Sequence, residues 1–292
     1  GKFPALFFAV AAVIASFGIG NMTQGNAVAH TLQDTFAVDP IVTAIFVSVL
    51  TGAVLLGGIK AIGRVTAGFV PVMIVIYVVG ALVVLGLNWQ ALPGAFGLIF
   101  SDAFTGTAAA GGFVGSVVAQ AIQYGIARGI FSNESGMGSA AIVAAAAKTK
   151  HPVRQGLVSM TQTFIDTIIV VSMTALVIVS TGAWTSDKKG AALTAEGFSI
   201  GLPGTSGGVI VAISVVFFAY STILGWAYYG ERNVERLVGI KGVVPYRLLF
   251  SAVVFLGCVS ELELVWTFSD IANGLMAIPN LIGLLICSGL IA

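Results

Sequence analysis

Of the 292 residues, 58% are hydrophobic and only 9% are charged, and the mean hydropathy is +1.04. A water-soluble domain carries about 25% charged residues to cover its surface, so this composition excludes one and makes hydrocarbon the expected solvent. Thirteen basic residues against twelve acidic leave a formal charge of +1, which offers nothing to nucleic acid or to a strongly acidic partner.

A helix needs about 20 mainly apolar residues to cross a bilayer. Windows of that kind fall at 3–29, 41–58, 67–87, 111–146, 156–181, 207–229, 244–260 and 264–292. The first resembles a signal peptide over 3–18 but runs on through Asn21 and Gln24 with no cleavage-like site, so it counts as mature structure. The fourth is long and is interrupted at Ser132-Asn133-Glu134-Ser135-Gly136. The last holds Pro279-Asn280, where one short helix can give way to another. About nine membrane segments are expected, in a single transmembrane domain over residues 1–292. The sequence starts without Met and stops inside the apolar run Leu290-Ile291-Ala292, and it reads as a fragment at both ends.

Lys and Arg collect in short cytoplasmic loops. Lys2, Lys60, Arg64, Lys148, Lys150, Arg154, Arg232, Arg236, Lys241 and Arg247 all fall on one side of the alternation, ten of the thirteen basic residues. Lys188 and Lys189 lie on the other side with Asp34, Asp39, Asp102, Asp187, Glu196, Glu261 and Glu263, while Arg128 lies within a membrane window. The stretch from Trp89 to Thr107, rich in Gly, Phe and Pro, is too short for a domain and is expected along the membrane surface. Cys258 and Cys287 sit in apolar runs, and His30 and His151 are placed at helix ends with no second ligand nearby. None of the four is given a disulfide or metal role.

The 37 glycines exceed the usual share of about 7%, as expected of helices that pack closely in lipid. Four of them punctuate Gly125-Ile-Ala-Arg-Gly-Ile-Phe-Ser-Asn-Glu-Ser-Gly-Met-Gly-Ser139, which sets Arg128, Asn133 and Glu134 between two apolar half-helices. Non-helical backbone at membrane depth survives only against protein or a wet cavity. A broken helix there exposes N–H groups at one half and C=O groups at the other, suited to a carboxylate, an ammonium or a bare cation. The plainer alternative is an Arg128–Glu134 ion pair with glycines that serve packing alone.

In the first window Gln24 shares a helical face with Asn21 and Gly25, where its amide can bind a substrate carboxylate or tie two helices together. Ser221 and Thr222 sit mid-helix in the sixth window. Their hydroxyls suit sodium, a hard cation that takes oxygen ligands, or they bond back to a helix carbonyl. Trp226, one turn further on, can wall a pocket or face lipid. Asp166 and Asp270 are second-rank candidates that can relay protons; equally, Asp166 can cap or pair within the bundle and Asp270 can pair near the outer interface. A membrane enzyme would need a catalytic set at depth, and none is present. A channel would not require the polar break together with the Ser-Thr pair.

Gly20-Asn21-Met22-Thr23-Gln24-Gly25-Asn26, Gly129-Ile-Phe-Ser-Asn-Glu-Ser-Gly-Met-Gly138, Ile223-Leu-Gly-Trp-Ala-Tyr-Tyr-Gly-Glu231 and Met276-Ala-Ile-Pro-Asn280 resemble the alanine or glycine:cation symporter family across nearly the whole chain. The resemblance implies a LeuT-like, all-α inverted-repeat bundle of the APC superfamily with discontinuous helices. This chain would run from its third helix to the C-terminal helix, without the first two. The segment around Ser132 matches the sixth helix of that fold and the Ser221-Thr222 segment the eighth, and the basic loops fall on the side that this alignment makes cytoplasmic. On that footing Gln24, Phe131, Ser132, Asn133, Ser135, Gly136, Met137 and Trp226 are candidate substrate contacts, and Ser221 and Thr222 candidate sodium ligands. The implied activity is symport of sodium with a small neutral amino acid, alanine or glycine, across the cell membrane, with no cofactor besides the coupling ion.

Overall fold

The computed structural model describes residues 2–105 and 114–291, and among these every regular element is helical. In chain order they are α1 (Lys2–Phe36), α2 (Pro40–Leu56), α3 (Gly58–Leu87), α4 (Leu92–Thr105), α5 (Val114–Asn133) and α6 (Ala140–Ala144). There follow α7 (Pro152–Ser180), α8 (Ala191–Gly201), α9 (Ser206–Val238), α10 (Val243–Val259), α11 (Leu262–Ile286) and α12 (Ser288–Ile291).

The chemistry of the ends explains several boundaries. Helix α1 closes with Ala37 in the left-handed region at φ 54°, its N–H bonded back to Gln33 and Leu32. Two residues later Asp39 caps α2 by accepting from the Ile41 N–H at 2.7 Å, with Pro40 at the first helical position, where a missing N–H costs nothing.

Among the described residues six helical stretches are long and apolar enough to span a membrane: Lys2–Phe36, Gly58–Leu87, Pro152–Ser180, Ser206–Val238, Ile240–Val259 and Leu262–Ile286. Helix α2 is apolar but only 17 residues long, short of the roughly 20 a crossing needs. The fourth expected window corresponds to α5 with α6, although residues 111–113 lie outside the described residues, as do 106 and 107 of the expected surface stretch. Within that stretch the chain is helical, as a 3₁₀ turn at Trp89–Ala91 and as α4.

Two expectations change. The last window is not divided at Pro279-Asn280, because α11 runs unbroken through Pro279 to Ile286. His30 is an exposed residue inside α1, not at a helix end. Large apolar side chains face outward along these helices, among them Phe46 (66% exposed), Val49 (68%) and Leu285 (74%). Surfaces so apolar belong in lipid, and the chain is a multi-pass membrane protein.

The helices form two compact units, Gly1–Ile74 with Gly136–Lys150 and Ala212–Ala292, and Val75–Ser135 with His151–Val211. In the first, α2 and α1 pack on α10, and α11 packs on α1. Its core joins Val28, Ala44, Leu55, Ile223, Leu224, Phe250 and Val254. Asn21 and Asn26 cross-link this core by donating to the Phe250 carbonyl at 2.7 Å and the Ser260 carbonyl at 2.7 Å. The basic end of α9 is fixed in the same unit. Buried Glu231 accepts from Arg247 at 2.8 Å and from Arg232 at 2.7 Å. In the second unit α7 packs on α4 and α8, Tyr77 stacks on buried Phe198, and Tyr77 and Thr174 share a hydrogen bond.

Candidate functional site

Helix α5 ends within the polar run Ser132-Asn133-Glu134-Ser135. Asn133 is its last helical residue, and Glu134 closes it by bonding back to the Ile130 carbonyl at 2.8 Å while adopting the left-handed region at φ 58°. The Asn133 side chain then accepts from the Ser135 N–H at 3.0 Å, an Asx turn. Gly136 (φ 77°) and Gly138 (φ 87°) continue the reversal, in the region glycine enters without steric cost. The chain is helical again at Ala140. The break expected from the glycines and polar residues therefore spans Glu134–Ser139.

In the second unit the break meets α7. Over Phe164–Val171 this helix is π-helical, a local widening often found at functional sites. It carries Asp166, whose two carboxylate oxygens accept from the Ser132 hydroxyl at 2.8 and 2.7 Å, while Thr167 donates to the same carboxylate at 3.2 Å. The Asn133 amide donates to the Thr167 hydroxyl at 3.0 Å. Among the described residues, no basic side chain lies within ion-pair distance of Asp166. Its carboxylate oxygens are thus met by neutral hydroxyls, and their remaining lone pairs are ones a cation can use. Phe131, one residue earlier, lies beneath the Arg128 guanidinium, 5.4 Å from ring centroid to Cζ.

In the first unit, Met137 is buried at 2% exposure, and the Gly136 carbonyl accepts from the Asn280 amide at 2.8 Å. Helix α1 also has a π turn, at Gly18–Met22. Its displaced carbonyls are satisfied locally. Thr23 donates its hydroxyl to Ile19 at 2.5 Å, and Gln24 donates its amide to the same carbonyl at 3.0 Å. One Gln24 amide N–H is thus engaged, and the carbonyl oxygen, an acceptor suited to ammonium or a cation, stays available beside the second N–H. Trp226 on α9 packs closely against this turn. A methyl on Gly20 would overlap the Trp226 Cβ and Cγ, and the indole meets Tyr229 edge-on at 5.2 Å.

Ser221 and Thr222 both donate to the Phe218 carbonyl, at 2.9 and 2.8 Å. This is helix back-bonding, but each hydroxyl oxygen keeps lone pairs that a cation can use. Among the described residues no cluster of three His, Cys, Asp or Glu side chains could hold a metal ion. The structure thus joins Gln24, Gly20 and Trp226 through one turn, and Ser132 and Asn133 to Asp166 and Thr167. Sequence alone ranks Asp166 second and does not single out Thr167. The signal that could have raised Asp166 is its charge in an otherwise apolar window.

A helical bundle with outward apolar faces and a polar, glycine-punctuated break defines a class: the multi-pass membrane protein with a discontinuous helix. Within that class the chain belongs to the sodium:alanine symporter family, whose model matches residues 2–292. It is 50% identical to the sodium/alanine symporter AgcS of Methanococcus maripaludis, over 100% of this chain and 64% of the relative. It is 36% identical to the probable sodium/glutamine symporter GlnT of Bacillus subtilis, over 94% of this chain and 57% of that protein. It is also 33% identical to a sodium/proton-dependent alanine carrier protein of Bacillus sp. strain PS3, over 90% and 62%. The chain spans about three fifths of the length of these relatives.

Proposed function

We propose that this chain is the larger part of a symporter in the cell membrane that couples inward sodium movement to uptake of a small neutral amino acid, alanine or glycine, by alternating access. The observation that carries the reading is the break at Glu134–Ser139 with the Ser132–Asp166 cluster beside it. Open backbone and a carboxylate within a membrane bundle suit a zwitterion travelling with a cation. The fold we infer is the LeuT-like pair of inverted repeats, of which this chain carries the third to the last helix in a single transporter domain. The kinship with AgcS over the whole chain supports the sodium-coupled reading.

Phe131, Ser132, Asn133, Ser135, Gly136, Met137, Gln24 and Trp226 are the proposed amino-acid contacts, and Ser221 and Thr222 the proposed sodium ligands. Asp166 joins them as the acid that offsets the positive charge of ammonium or ion. Chemistry on the substrate is no part of this function, and no cofactor besides the coupling ion is called for.

The test is uptake of labelled alanine by the full-length protein in proteoliposomes. An inward sodium gradient should drive accumulation, and replacing sodium by choline should abolish it; accumulation indifferent to sodium would overturn the reading. Leucine and phenylalanine should compete poorly, because overfilling a packed wall costs about 1–3 kcal/mol. Glutamine, the substrate in the name of the Bacillus subtilis relative, is the informative competitor of intermediate size.

A further inference from the structure

Met276, Pro279 and Asn280 lie on one face of α11 by i, i+3, i+4 spacing, and Met276 and Pro279 are buried. From that face the Asn280 amide donates to the Gly136 carbonyl at 2.8 Å, across 144 residues of sequence. The accepting carbonyl belongs to the break, where no helical ladder serves it, and an unpaired backbone group in hydrocarbon is costly. Packing gives a second, independent observation. A Cβ built on Gly138 would stand 2.9 Å from Asn280 Cγ and Oδ1 and 2.7 Å from Phe8 Cε2. The left-handed backbone at Gly136 is therefore held by a hydrogen bond from the Asn280 amide, and that at Gly138 packs so close to the same amide that a side chain there would collide with it. Met137 lies between the two glycines and is buried.

We propose that Asn280 is a positioning residue for the substrate site. It touches no substrate. It fixes Gly136-Met137-Gly138, and through them the place of the Met137 side chain and the direction of the neighbouring N–H groups. The inference rests on the reading that the break binds the amino acid, and it gives the Met276–Asn280 block a role that no contact with ligand requires.

The experiment measures alanine uptake by the full-length protein in proteoliposomes, with KM and maximal rate taken separately. Asn280→Asp keeps the shape and removes the donor, Asn280→Ala removes the whole amide, and Asn280→Gln keeps the donor on a longer arm. The expected result is a KM raised about tenfold in the Asp and Ala variants, the size of one lost hydrogen bond. The maximal rate should change less than KM, and the Gln variant should fall between these variants and the parent. Should Asn280→Asp fail to fold, Asn280→Ala carries the comparison. An unchanged KM in both donorless variants overturns the proposal. Equal loss in the Gln variant also overturns it, as does failure of all three to fold, which would make Asn280 a residue of the fold alone. A parent protein that does not take up alanine at all sinks the transport reading instead, so the two failures are told apart.

Discussion

Helices α1 and α7 both abandon α-helical register for a π stretch, at Gly18–Met22 and at Phe164–Val171, and they use the widening in opposite ways. In α1 the stretch turns on itself: Gly18, Ile19, Gly20 and Asn21 are buried, and Thr23 and Gln24 of the same helix take up the displaced carbonyls. What the widening gains is close approach, since Trp226 packs where any side chain at Gly20 would stand. In α7 none of the π residues is fully buried, and the stretch presents Asp166 to Ser132. One π turn is a packing device and the other aims a charge. The same backbone irregularity is therefore no sign of function until the partners of its side chains are known.

The comparison breaks most sharply at Gly20. Gly20→Val should cost at least about 3 kcal/mol, because overpacking in a spot with no slack displaces the buried Trp226. Thermal unfolding of the purified full-length protein in detergent would show it as a large fall in midpoint. A variant as stable as the parent would mean that the π turn of α1 is not the packing device described.

Asp166→Asn addresses the other side. The amide keeps the shape and can still accept from Ser132, so stability should change by less than about 1 kcal/mol. Alanine uptake should fall about ten- to a hundredfold, the worth of a charge-assisted contact of about 1.5–3 kcal/mol. Uptake at the parental rate would place α7 with α1, as architecture alone.

The contrast also marks what could be read from sequence. Hydropathy located the spanning helices, and glycines with Asn133 and Ser135 located the break, because composition and turn chemistry are local properties. The π stretches were not legible. Whether an N–H reaches the fourth or the fifth preceding carbonyl is set by what the helix packs against, and no residue type announces it. This is why Gln24, placed on a face by α-helical spacing, bonds instead to Ile19, five residues back. The Ser132–Asp166 pairing, 34 residues apart, is tertiary in the same sense. At Pro279 a local rule misleads: Pro discourages helix, yet α11 continues with Pro279 buried and Asn280 turned to Gly136.

Ser221 and Thr222 form a third case, in which regular helix carries the candidate chemistry. Both hydroxyls already donate to the Phe218 carbonyl, and Ser221 lies 3.9 Å from the Met73 sulfur. Removing either hydroxyl leaves no donor behind and exposes only a carbonyl that the helix can serve, so stability should move by no more than about 0.5 kcal/mol. If these oxygens also ligate sodium, Ser221→Ala and Thr222→Ala each delete one of several neutral ligands. The sodium concentration for half-maximal uptake should then rise about three- to tenfold, as for a contact of about 1 kcal/mol. The readout is a sodium titration of alanine uptake at saturating alanine. A shift in sodium dependence without a fall in thermal midpoint separates ion ligation from back-bonding, because back-bonding alone predicts that the titration curve stays where it was.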